Sequence, residues 1–199
     1  MVLAGVTGEQ TLAAVGRSLN VVLVRPEGPP PAEPDAELTA AAAALRRAAG
    51  ISASYVVVAA DPLAAAAAAW REMWTISAQA RGTDEFELRA AQALAAWRAG
   101  QFELPDYYLV LADSPAAGRD ALQSPDFYLG PLRSVRPSRV AVAAGSEPGA
   151  QAAAVRSELA ALPHGPWWPS LEEIFRAARG FYPGALAESP AAQQGTLLR

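Results

Sequence analysis

The chain has no cysteine and a single histidine, His164, and all 16 of its basic residues are arginine. These absences exclude much chemistry. There is no thiolate nucleophile, no side-chain amine to form a Schiff base and no lysine for a phosphate-binding P-loop. Zinc sites built from several cysteines or from two histidines are excluded too. A disulfide framework is impossible, which fits a reducing compartment. No G-x-G-x-x-G and no G-x-S-x-G sequence is present, so neither a dinucleotide fingerprint nor a nucleophile elbow can be read.

Positive charge is also short. The formal net charge is −4 and the isoelectric point about 5.1, whereas a chain that binds nucleic acid over its whole surface is usually basic. Apolar runs stop well short of the roughly 18–20 residues that a membrane span requires. The opening MVLAGVTGEQ has no charged stretch before an apolar one, so a secretory signal is not expected. The expectation is a soluble cytoplasmic protein with no membrane partner.

Alanine makes up about a quarter of the 199 residues. It buries little area per residue and favours closely approached helices, so the bulk of the core must come from Leu, Val, Ile and the aromatics. Four short apolar runs stand out, at 20–25 (NVVLVR), 54–60 (SYVVVAA), 107–112 (YYLVLA) and 139–144 (RVAVAA). Each is continuous rather than alternating and rich in Val, Leu or Tyr, the signature of a strand buried on both faces. Residues 2–6 read as a further, shorter strand.

Turn residues and then a helix follow each run. Helices are expected over 35–49, closed by Gly50; over 63–74, with Asp61 as N-cap and Pro62 at the first position; and over 85–99, with Asp84 as N-cap and Gly100 as terminator. A short helix should begin at Asp113-Ser114-Pro115, another should run from Gly145-Ser146 to about Leu162, and the last covers 171–179 behind a Ser170/Glu173 capping box. Strand, turn and helix repeated in this way predict an α/β fold: a three-layer αβα sandwich with a mainly parallel sheet of four or five strands. One domain over 1–184 is expected, with residues 185–199 as a mobile tail.

In open α/β sheets ligands sit beyond the carboxyl ends of the strands, where helix N-termini point inward. Here those ends carry Asp61, Asp113, Ser114 and Ser146, the candidate ligand-binding residues. Aspartate and serine before proline are also ordinary helix caps, and capping alone would account for them. Arg133, Arg136 and Arg139 follow one another at three-residue steps in a stretch without acids from 127 to 146. Three guanidiniums there could clamp a phosphate or carboxylate. His164 lies in the stiff segment LPHGPWWP, where it could serve as a base, with Ser114 or Ser146 as the conceivable nucleophile of a triad. Of the adjacent Trp167 and Trp168, one should plug the core and the other face outward. No catalytic residue, metal ligand or cofactor can be named.

Three functions compete. The leading one is a domain that binds a small anionic molecule at the strand ends, whether or not it is an enzyme. The second is a non-catalytic, self-associating scaffold, favoured by the missing catalytic residue types and the alanine-rich helices. The third, with nucleic acid an unexpected partner for so acidic a chain, is weak association through the arginine cluster.

Overall fold

The computed structural model describes residues 1–4, 8–28, 33–74, 79–112 and 126–181, and the side chains of 79–82 lie outside that description. Five strands form one sheet: β1 (Val2–Ala4), β2 (Val21–Val24), β3 (Tyr55–Val58), β4 (Tyr108–Ala112) and β5 (Val140–Ala144). Their order is β2-β3-β1-β4-β5 and every pairing is parallel. The four apolar runs are strands whose side chains pack against one helical layer or the other, β4 wholly buried and the edge strand β2 least so. The three residues of β1 take the central position.

Helices cover both faces, and alternation along the strands assigns side chains to each. Leu3, Val57, Leu109, Leu111, Ala141 and Ala143 pack under α1 (Glu9–Gly16) and α5 (Pro148–Ala160). Val2, Ala4, Val58, Tyr108, Val110 and Val140 face the opposite layer. That layer contains α2 (Pro34–Ala49), α3 (Ala64–Glu72), α4 (Gln79–Arg98) and α6 (Leu171–Gly180). Its bulk is aromatic: Trp70, Phe86, Phe127 and Phe175 are fully buried and meet edge-on or tilted.

The core under α1 and α5 is aliphatic, made of leucine, valine and alanine. A buried hydrogen bond from Thr11 Oγ1 to Gln151 Oε1, 2.6 Å long, joins its two helices. At Gly145 a Cβ atom would meet the backbone of α5 at 2.7 Å, so only glycine lets β5 hand over to that helix so closely.

Helix ends depart from expectation in two places. Asp84 is not an N-cap but lies inside α4, which begins at Gln79; its left-handed C-terminal glycine is Gly100, with φ of 67°. Asp61 and Pro62 precede α3 in a turn, so that the helix starts at Ala64. The last helix follows its pattern: Ser170 Oγ accepts the Glu173 N–H, and Leu171, Ile174, Phe175 and Ala178 are all fully buried. The helix expected from residue 113 and the tail at 185–199 lie outside the described residues.

Candidate functional site

The helix after β1 lies on one face of the sheet, while the helix after β3 and the segment after β4 that contains Phe127–Leu132 lie on the other. Connections that part in this way open a crevice above the sheet. A cleft of about 470 Å³ occupies that place. Leu3, Ala4 and Leu111 form its floor, Leu12 of α1 one side, and Ala64, Ala67 and Arg71 of α3 the other, with Glu37, Asp61, Asp126 and Tyr128 as further polar wall groups.

Asp61 is the central polar group. It is 8% exposed, and among the described residues no cation is bonded to it; its partners there are three neutral donors. Its Oδ1 accepts the Leu63 N–H at 3.0 Å and the Tyr108 hydroxyl at 3.0 Å, and its Oδ2 accepts the Tyr128 hydroxyl in a short contact. The first of these bonds is the cap-like role that the Asp-Pro pair announces; the two tyrosines add something else. Tyr108 opens β4 and stands level with Val58, so its long ring reaches up beneath the turn that carries Asp61. Tyr128 arrives on a short π-helical turn, Tyr128–Leu132, whose amino end is held by Asp126 Oδ1 accepting the N–H groups of Tyr128 and Leu129. The two tyrosine rings lie 5.6 Å apart.

Burial lifts the Asp61 carboxyl from its ordinary value to about 6, against the pull of the hydrogen bonds from Tyr128, Leu63 and Tyr108, with the charge of Glu37 adding to the rise. Burial, and then the neighbouring Asp61 charge, hold both tyrosine hydroxyls well above their usual range. The site therefore contains one group that exchanges its proton near neutral pH and two that keep theirs. Chemically it can donate or accept a proton, or hold a polar molecule by hydrogen bonds. Among the described residues, no three His, Cys, Asp or Glu side chains are grouped to hold a metal ion.

Of the residues singled out from sequence, Asp61 alone is placed in this cleft. Asp113 and Ser114 lie outside the described residues. Ser146 is exposed beyond β5, three strand spacings or roughly 14 Å along the sheet from β3, and belongs to no shared pocket with Asp61.

The arginine cluster is at the opposite, amino-terminal end of the strands. Arg139 is buried and donates to the carbonyls of Pro166, Gly165 and Asp106, with its guanidinium between the rings of Tyr107 and Trp167 at 4.9 and 4.8 Å. Arg136 donates to the Trp167 and Val135 carbonyls, and Arg133 is exposed. A three-arginine anion clamp is thus corrected: two of the three guanidiniums hold the 163–168 segment. His164 is exposed in that same segment, whose Pro163 carbonyl accepts the Tyr107 hydroxyl. A triad with Ser146 fails because the length of a five-residue strand, roughly 15 Å, separates the two ends of the sheet. Trp168 is buried, its indole N–H on the Pro105 carbonyl, and Trp167 is 52% exposed, the division expected of the pair.

Sequence reasoning missed Tyr108, Tyr128 and Arg71. A tyrosine opening a buried strand needs a partner for its hydroxyl, and that was the available signal for Tyr108. Nothing local marks Tyr128 or Arg71. No protein-family model matches the chain, and comparison with curated proteins and with solved structures likewise gives no match.

Proposed function

We propose that this α/β domain binds a small anionic molecule in the cleft at the carboxyl ends of β1, β3 and β4. One observation carries the reading: a buried acid held by two tyrosine hydroxyls forms the wall of an open cleft at the point where the strand connections part. A capping aspartate needs neither tyrosine.

The guanidinium that the cleft carries favours an anion. Arg71 is exposed at the cleft and, among the described residues, its guanidinium makes no hydrogen bond or ion pair. Of the three acids, Asp126 is engaged by two backbone N–H groups, and burial raises the proton affinity of Asp61, so that its charge is lost as pH falls through about 6. Glu37 is exposed to water. A carboxylate or phosphate lying between Arg71 and Tyr128 would take a forked bond from the guanidinium and rest its carbon skeleton on Leu3, Leu12 and Ala64.

The test is a thermal-shift and NMR screen with sulfate, phosphate and small carboxylates on the native chain and on Arg71→Ala. Binding that perturbs residues around Asp61 and weakens at least tenfold in Arg71→Ala is expected. Ligands that all bind elsewhere, or equally well without Arg71, would refute the assignment.

A second reading, self-association, is favoured by the β2 edge. β2 has a neighbour on one side only, and Leu19 and Val22 beside its outer edge are 87% and 37% exposed. Light scattering across a dilution series decides it: a dimer that Val22→Lys dissociates supports this reading, and a monomer at every concentration ends it. Nucleic-acid binding loses its basis, because Arg136 and Arg139 are committed to backbone carbonyls.

A further inference from the structure

Tyr128 has a single hydroxyl proton, and the ionised and neutral forms of Asp61 put it to different use. When Asp61 is ionised, its two oxygens accept from Leu63, Tyr108 and Tyr128, and each tyrosine spends its proton on the carboxylate. Tyr128 then shows the cleft only lone pairs, which repel an anion. When Asp61 is neutral, its acid proton needs an acceptor. Oδ1 already takes two donors, so the proton belongs on Oδ2, where the hydroxyl oxygen of Tyr128 is the group in contact. Tyr108 is fully buried and makes its hydroxyl bond to Asp61 alone among the described residues, so it has no cause to turn. Tyr128, which lines the cleft, is left free to turn its own O–H outward.

We infer that an oxyanion enters this cleft together with one proton: Asp61 takes the proton from solvent and donates it to Tyr128, and Tyr128 donates its own hydroxyl proton to the anion. The inference rests on the anion-binding reading above and adds a regulation to it, so that the site fills more readily as the solution becomes acidic. The groups facing the carboxyl are consistent with that linkage. Burial holds the hydroxyls of Tyr108 from β4 and Tyr128 well above their usual range, Arg71 from α3 lines the same cleft, and Glu37 from α2 raises the proton affinity of Asp61. Asp126, bound to its own turn, adds negative charge beside Tyr128. A bound anion raises the proton affinity of Asp61 further, and by linkage the proton tightens the anion to the same extent.

Sulfate is a suitable probe, because it keeps its charge between pH 5 and 8. With the native protein at constant ionic strength, its Kd should rise close to tenfold per pH unit from about pH 6.5 to 8. Calorimetry near pH 7 in two cationic buffers of different ionisation enthalpy should register uptake of close to one proton per sulfate. Asp61→Asn, whose amide always donates to Tyr128, should bind sulfate at the low-pH strength throughout, with no slope. Tyr128→Phe should bind it weakly at every pH. Sulfate bound without proton uptake, or a slope that survives Asp61→Asn, would overturn the coupling and leave the anion site standing. Failure of the native protein to bind sulfate at any pH would remove the anion site and the coupling with it.

Discussion

The two ends of the sheet each bury an ionisable group, and they treat it in opposite ways. At the amino end, Arg139 meets three carbonyls and two aromatic faces. A guanidinium does not lose its proton in a protein, so burial obliges the fold to surround it with acceptors. At the carboxyl end, Asp61 meets three neutral donors and, among the described residues, no paired cation. A carboxyl can take up a proton, and the fold leaves it able to do so. One end is a fastened structural joint. The other holds a group whose charge changes near neutral pH, in an open cleft.

Substitutions at the two ends should separate these roles, beginning with the largest effect. Arg139→Ala removes several charge-assisted bonds and unfastens the 163–168 segment; urea denaturation should show a loss of about 3 kcal/mol. Lysine at the same position should recover less than half, since one ammonium cannot reach three carbonyls and stack between two rings. A loss under about 1 kcal/mol would mean that the joint is ornamental.

Asp61 should act with the opposite sign. An acid whose folded-state pKa lies above its unfolded value contributes stability that is complete below the unfolded value, near 4, and is lost as pH rises through the folded value, near 6. The native protein should therefore lose about 2–3 kcal/mol through this group between pH 4 and 7. Asp61→Asn should flatten that fall and be the more stable protein at pH 7, as seen in midpoints measured across this range. The lowered carboxyls of Glu87, bonded to Arg179, and of Glu172, held first by a backbone N–H and then by Arg98, work in the other direction, and their stabilisation is lost only as pH falls through the usual carboxylate range and below.

Tyr128→Phe, at about 1 kcal/mol of destabilisation at pH 7, comes next, and it should raise the Asp61 midpoint because a hydrogen bond that favours the ionised form is gone. His164→Ala and Arg133→Ala, both at exposed positions, should stay within about 0.5 kcal/mol of the native protein. A larger effect of either would give the amino end a role beyond structure.

The layered architecture was legible because helices cover both faces of the sheet, so the strands read as unbroken Val and Leu runs, each closed by a turn. The weight of β1 was not. Three residues carry little periodic signal, and their central place follows from the pairing of β3 and β4 on either side. The start of α4 was misplaced because Asp84 offers a cap in sequence that the helix does not use.

Asp61 could be marked as a strand-end acid, but its meaning depends on Tyr108 and Tyr128, which lie 47 and 67 residues away. The arginine cluster misled for the same reason. Its three-residue spacing suggested a shared ligand, whereas Arg139 finds its partners 26 and 27 residues on, in a proline-rich segment whose carbonyls have no helix to satisfy them.

The most direct test is a ¹³C NMR titration of the Asp61 side-chain carboxyl in the unliganded native protein. A midpoint near pH 6, moving higher in Tyr128→Phe, is the result expected of a carboxyl whose burial outweighs the hydrogen bonds it accepts. A midpoint at or below 4 would show a charge stabilised in the ordinary way, and the cleft would then hold a helix cap and nothing more.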